Sequence, residues 1–170
     1  MITYPISKKT IDICTTFSGL SANDYSSRGQ SNKVKVKEDI LFGKISEFAV
    51  AHHLRKQFGE CTVPDTAIYE RGERSYAPDL TTPRGVVHVK SCRMNPHYDP
   101  SWLFEKNDTE VFAKPYAGDV AFCVVDTDAY EVTVVAIVPL KTLHEKKLFL
   151  PPRLAHLTTK VAVYAKDLAD

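Results

Sequence analysis

The longest helical pattern in the chain covers residues 37 to 59, KEDILFGKISEFAVAHHLRKQFG, where apolar residues recur every three or four positions. This period predicts an amphipathic helix that ends at Gly59 and buries a stripe containing Leu41 and Leu54. Glu47 lies on the same stripe, seven residues before Leu54. An unpaired carboxylate on an apolar stripe is costly, so the position of Glu47 requires a partner or a function.

The segment after this helix changes to the alternation that is typical of strands. We predict a short strand at residues 67 to 70 and a hairpin of residues 76 to 80 with 86 to 92, joined by a turn in which Pro83 suits type I geometry. In the second strand of the hairpin, one face holds Val86, His88 and Lys90, and the other holds Val87, Val89 and Ser91. We expect one face to pack in the core and the other to carry chemistry or to meet water.

The two ends of the chain complete the predicted fold. Residues 119 to 139, DVAFCVVDTDAYEVTVVAIVP, predict two central strands joined by a turn at Asp-Thr-Asp. A short helix is predicted at residues 139 to 147, and residues 160 to 168 predict an edge strand that runs into a helical end. We interpret residues 1 to 36 as an N-terminal extension or arm, with a short strand or helix near residues 11 to 17. The pattern predicts an α/β fold.

The length and composition of the chain limit the classes of protein to which it can belong. The length of 170 residues, with 44% hydrophobic residues, suits a single domain that spans residues 1 to 170. The formal net charge of +1 gives no global attraction to nucleic acid, so any electrostatic site must be local. The four cysteines form no CxxC pair, and we expect reduced thiols in a cytoplasmic protein. No apolar run reaches the roughly 18 residues that a membrane helix requires, so no membrane partner is expected.

Four ionisable residues are candidates for chemistry: Glu47, Asp79, His88 and Lys90. Each has an ordinary alternative when taken alone. A helix glutamate commonly forms a surface ion pair, and an aspartate before a hairpin commonly serves the turn. A strand lysine commonly protects an exposed edge, and a single histidine is commonly a hydrogen-bonded packing residue. Their order is more specific: a helix glutamate, then Pro-Asp, then a turn, then a strand that contains Val-Lys-Ser.

This order resembles that of the PD-(D/E)xK nuclease superfamily. Pro78-Asp79 stands at the PD position and Lys90 at the lysine position, and GKISEFAVAHHLRKQFG is similar to the helix that carries a glutamate in this superfamily. The resemblance implies a restriction-endonuclease-like core, with a mixed central β-sheet flanked by helices, and metal-dependent hydrolysis of DNA phosphodiester bonds. It also implies that Asp79, the residue two before the lysine and the backbone carbonyl of Val89 bind Mg²⁺, with Glu47 as a second carboxylate. Lys90 would position and polarise the attacking water.

The chain departs from this pattern at His88, where the superfamily usually has Glu or Asp. Magnesium prefers oxygen ligands, whereas imidazole suits softer metals. Three interpretations follow: His88 is a tolerated variant beside the carboxylates of Glu47 and Asp79, the site prefers Mn²⁺, or the site is inactive. His88 could also transfer a proton.

Three alternatives to a DNA endonuclease therefore stand. The first is a Holliday-junction resolvase or another structure-specific nuclease of the same fold. The second is a catalytically inactive DNA-binding protein on this fold, and the third is an α/β domain with no role on nucleic acid. A nuclease that cuts two strands generally acts as a two-fold dimer, which makes a homodimer an attractive assembly. Candidate contacts to DNA phosphates are Lys33, Lys35, Lys37, Lys44 and Arg93. The alternative is that these residues are ordinary solvated surface charges.

Overall fold

The protein is a mixed α/β fold in which a curled, mixed sheet is flanked by helices. The computed structural model describes residues 1 to 25, 32 to 68 and 78 to 168, without the side chains of residues 23 to 25. The elements in chain order are β1 Ile2–Pro5, α1 Lys8–Tyr25, α2 Lys33–Phe58, β2 Leu80–Thr82, β3 Gly85–Arg93, β4 Ser101–Glu105, α3 Thr109–Phe112, β5 Asp119–Asp126, β6 Glu131–Pro139, α4 Leu140–Glu145, β7 Lys160–Tyr164 and a final 3₁₀ turn Ala165–Leu168.

The main sheet has five strands in the order β1-β6-β5-β3-β2. Strands β3 and β5 are parallel, and every other neighbouring pair is antiparallel. The connection from β3 to β5 passes through β4 and α3, since parallel neighbours need a crossover. Strand β4 pairs with β7 in a separate two-stranded sheet. Helix α2 therefore lies on one face of the main sheet, and the crossover covers the other.

Two hydrophobic cores follow from this arrangement, one on each face of the sheet. The first core joins α1 and α2 to the sheet, with Ile45, Leu54 and Val87 among its buried members. The second core joins the sheet to β4, α3, α4 and β7, with Trp102 and Phe122 at its centre. Strand β5 contributes to both, and six consecutive residues of it are buried. The continuous valine and alanine content of this strand correctly predicted a position covered on both faces.

The long helix predicted around Glu47 is confirmed, and it begins four residues earlier than expected, at Lys33. The side chain of Asn32 caps it by accepting a hydrogen bond of 3.0 Å from the Lys35 amide. Gly59 ends the helix with φ of 82°, and its amide donates to the Arg55 carbonyl at 2.9 Å. The extra turn at the start carries the lysines of the predicted arm.

The hairpin turn and the C-terminal elements are also confirmed, but the first strand of the hairpin is Leu80–Thr82 and not residues 76 to 80. Residues 78 and 79 are not in a strand, and residues 76 and 77 lie outside the described residues. Leu80 pairs with Val87 and Thr82 pairs with Gly85, which leaves a two-residue loop at the predicted turn. The predicted strands of residues 119 to 139, the short helix after them and the strand that ends in a helical turn are all present. The predicted strand at residues 67 to 70 is absent from residues 67 and 68, and residues 69 and 70 lie outside the described residues.

The N-terminal residues differ from the expected extension or arm, because residues 1 to 25 are built into the domain. Strand β1 is an edge strand paired with β6, and α1 packs along α2. The Tyr4 hydroxyl also lies 2.8 Å from His53 Nδ1 on α2. Residues 26 to 31, the centre of the predicted arm, lie outside the described residues. Across the described helices, none is both long and apolar enough to cross a membrane.

Candidate active site at the edge of the third strand

Glu47, on α2, is partly buried and forms an ion pair with Lys44. The Lys44 ammonium lies 2.6 Å from Glu47 Oε2, and the two side chains are only 12% and 13% exposed. The same ammonium lies 5.0 Å from the ring centroid of Phe17 on α1. Lys44 and Glu47 meet because residues three apart on a helix are neighbours. The apolar stripe thus contains a paired carboxylate, which the spacing of Glu47 indicated.

The electrostatic surroundings of Glu47 include two further carboxylates. Burial raises the pKa of Glu47 to about 7, and the neighbouring Lys44 opposes this by favouring the ionised form. The negative charges of Asp79 and, more weakly, Asp65 raise the pKa again. Both aspartates are therefore near enough to Glu47 to act on its ionisation. Such a buried, charge-coupled carboxylate is typical of functional sites, although structural ion pairs also perturb pKa values.

Asp79 is fixed at the edge of β3. Its Oδ2 accepts a hydrogen bond of 2.7 Å from the Val89 amide. Strand β2 begins at Leu80, opposite Val87, so among the described residues β3 has no partner strand on this side at Val89. The carbonyl of a strand residue points to the same edge as its amide, and the Val89 carbonyl therefore shares this edge with Asp79. Two kinds of oxygen donor are thus brought together.

His88 and Lys90 lie on the other face of the sheet from Glu47. Their partners on β5 are Val120 and Phe122, which belong to the second core. His88 is 8% exposed, and its Nδ1 lies 3.8 Å from Glu110 Oε2 on α3. The Lys90 ammonium lies 4.9 Å from the ring centroid of Phe104 on β4. We expected this face to carry chemistry or to meet water, and β4 and α3 of the crossover pack against it.

The five predicted phosphate contacts divide into two groups. Lys33, Lys35 and Lys37 are exposed in the first turns of α2. Lys44 is held by Glu47, as described above, and Arg93 is held by other carboxylates. The Arg93 guanidinium lies 2.9 Å from Glu38 Oε2 and 3.3 Å from Asp39 Oδ1. Arg93 therefore ties the end of β3 to α2.

The candidate ligands at this edge are oxygen atoms, which are the ligands that a hard divalent cation prefers. Across residues 1 to 25, 32 to 68 and 78 to 168, no group of three or more His, Cys, Asp or Glu side chains is assembled that could hold a metal ion. Mg²⁺ needs only one or two carboxylates, however, because it keeps several waters and takes further oxygens from substrate phosphates. Glu47, Asp79 and the Val89 carbonyl supply oxygens of this type. His88, directed into the second core, is not part of this set.

Comparison with known protein families, with curated proteins and with solved structures finds no match. The site is therefore interpreted from its own chemistry.

Two residues near Glu47 had other interpretations in the sequence. Lys44 was expected to contact DNA phosphates, whereas it is the partner of Glu47. Its position three residues before Glu47 is the signal that could have shown this. Asp65 also follows a proline, but no strand with a lysine comes directly after it, so Asp79 was preferred. Both aspartates act on Glu47, and Asp79 is hydrogen-bonded to the Val89 amide of β3.

Proposed function

We propose that the protein is a metal-dependent DNA endonuclease that hydrolyses phosphodiester bonds. The observation that carries this proposal is that Asp79 is anchored at the open edge of β3, near enough to the partly buried Glu47 for its negative charge to raise the pKa of Glu47. The chain order supports it as well. Helix α2, the β2–β3 hairpin, a crossover and then a strand parallel to β3 follow one another, as expected for a restriction-endonuclease-like core.

The residues at this edge can perform the steps that hydrolysis needs. A bound Mg²⁺ or Mn²⁺ would polarise the phosphate and lower the pKa of a bound water. Asp79, held by the Val89 amide, would present its other carboxylate oxygen in a fixed direction. Glu47 would be the second carboxylate and would act on the ion directly or through its bound water. Lys44 would balance the negative charge that these carboxylates place beside a phosphate.

The first turns of α2 supply an approach for DNA. Lys33, Lys35 and Lys37 are exposed close to the positive end of the helix dipole, where cations are unfavourable unless an anion is nearby. Phosphates would relieve this repulsion and release counterions, so binding should weaken steeply as salt rises. We include a two-fold homodimer in the proposal, since cutting both strands requires two sites.

The test is cleavage of supercoiled plasmid and of a synthetic four-way junction, with Mg²⁺ and separately with Mn²⁺. Wild type is compared with Asp79→Asn, Glu47→Gln and Lys90→Ala, all prepared identically. We expect metal-dependent cutting that is lost in the first two variants. Preference for the four-way junction over linear duplex would identify a junction resolvase of the same fold. Cutting that persists in both Asp79→Asn and Glu47→Gln would refute this site.

A catalytically inactive DNA-binding protein is the second candidate, and one observation favours it. The lysine and histidine of the predicted motif are packed against the crossover, away from Glu47. An inactive protein would bind DNA in a salt-dependent way, would keep that binding in Asp79→Asn, and would not cut with either metal. Absence of binding even at low salt would exclude both candidates.

A further inference from the structure

Lys44 contacts Glu47 in the candidate site, whereas the predicted catalytic lysine, Lys90, lies on the other face of the sheet. Lys44 Nζ touches Glu47 Oε2 at 2.6 Å, on the face of the sheet covered by α2. Lys90 Nζ lies over Phe104 on the opposite face. The negative charges of Asp79 and, more weakly, Asp65 also act on Glu47. The Lys44 ammonium balances part of this local excess of carboxylate charge, as a metal cation would.

We infer that the Lys44 ammonium holds the cation position beside Glu47 in the metal-free protein, and that a divalent ion binds there by displacing it. This inference rests on the proposed metal site. A divalent ion and an ammonium repel each other strongly at contact distance in a poorly solvated site, so both cannot sit against the same carboxylate oxygen. The displaced lysine has a flexible four-carbon stem and three donors, which allow it to contact a substrate phosphate.

The inference predicts a change in the accessibility of one lysine. In the metal-free protein Lys44 is 12% exposed and engaged, so its amine should react slowly with acetic anhydride. Addition of Mg²⁺ or Mn²⁺ at about 10 mM should raise its rate of acetylation several-fold, since weakly held Mg²⁺ sites fill in this range. Mass spectrometry of a digest reports every lysine in one sample. Lys33, which is exposed, and Lys90, which lies over Phe104 on the other face of the sheet, are expected to keep their acetylation rates and serve as internal controls.

Two isosteric variants complete the experiment. Glu47→Gln should make Lys44 reactive without any ion, because the ammonium loses its charged partner. Asp79→Asn should leave Lys44 protected, and should abolish its response to the ion. Binding of the ion is measured independently as a rise in the melting temperature of wild type that is absent in Asp79→Asn.

Each result separates this inference from the proposed activity. A rise in acetylation of Lys44, with Lys90 unchanged, supports displacement whether or not the plasmid is cut. An ion that stabilises wild type and leaves Lys44 protected overturns displacement, while the metal site and the nuclease proposal stand. If the ion alters neither the melting temperature nor any acetylation rate, the displacement is overturned along with the metal site on which it rests. Cleavage of plasmid then decides the nuclease proposal by itself.

Discussion

The ionisation of Glu47 predicts how stability depends on pH. Burial raises its pKa from an ordinary 4.5 to about 7 in the folded protein. Below pH 4.5 Glu47 is protonated in both the folded and the unfolded chain, so it does not change the free energy of unfolding. Between pH 4.5 and 7 the unfolded chain loses this proton while the folded protein keeps it. Stability must therefore fall as pH rises through this window, and the loss is complete above about pH 7.

The size of this loss follows from the two pKa values. A tenfold change in the ionisation equilibrium corresponds to about 1.4 kcal/mol, so the difference between 4.5 and about 7 costs about 3 kcal/mol. Solvent screening reduces this figure little, because the side chain is only 13% exposed. A loss of this size is a large fraction of the roughly 5 to 15 kcal/mol that stabilises an ordinary domain.

The assay is urea unfolding at about pH 4 and about pH 8, which lie on either side of the window over which the linked proton is lost. Fluorescence of Trp102 reports unfolding, since it is the single tryptophan and is 1% exposed when folded. Glu47→Gln is the matched control, because it keeps the shape and cannot ionise. Wild type should lose about 3 kcal/mol more than the variant between the two pH values. An equal change in both proteins would refute a buried, proton-retaining Glu47.

Three further predictions concern packing. Gly118→Ala should lower the free energy of unfolding by about 3 kcal/mol, because its φ is +88° and a Cβ would lie 2.4 Å from Val86 Cγ2. Gly43→Ala on α2 should instead raise the free energy of unfolding by about 0.5 to 1 kcal/mol, because a Cβ there would meet no atom of another element within 4 Å. Equal urea midpoints for the Gly118→Ala and Gly43→Ala proteins would contradict both predictions. Trp102→Phe should cost about 2 kcal/mol in thermal unfolding, since its Nε1–H donates to the Cys123 carbonyl at 2.8 Å, and an unchanged melting temperature would contradict it. The Cys123 thiol should resist iodoacetamide near neutral pH until urea is added, because burial raises its pKa, and rapid native labelling would exclude this environment.

The elements were predictable where a local pattern reports burial directly. The helical period around Glu47 and the hairpin turn at Pro83 are local signals, and both are confirmed. The near-continuous apolar run in β5 also identified a strand covered on both faces. In each case the residues that decide the structure are neighbours in the sequence, so no knowledge of the rest of the chain is needed.

The environment of β3 was not predictable in the same way. Alternation correctly separates His88 and Lys90 from Val87 and Val89, but it does not say what covers each face. The face with His88 and Lys90 is covered by β4 and α3, which come later in the chain and return across the sheet. Polar residues on a strand suggested an open face, whereas this face is packed, with Phe104 near Lys90 and Glu110 near His88. The N-terminal strand escaped prediction for a similar reason, since its partner β6 is more than a hundred residues away.

The same separation of faces decides how the candidate site can be organised. A site on the motif strand alone would place His88 and Lys90 beside Asp79, yet both side chains are engaged in the second core. Asp79 instead reaches the edge of β3, where α2 brings Glu47 and its lysine close enough for their charges to interact. An ion at the edge of a strand can take ligands from either face of the sheet. Asp79 therefore belongs both to a site that includes His88 and Lys90 and to a site that includes Glu47 and Lys44. Its replacement should therefore abolish a site of either kind, whereas Lys44 and Lys90 variants distinguish between them.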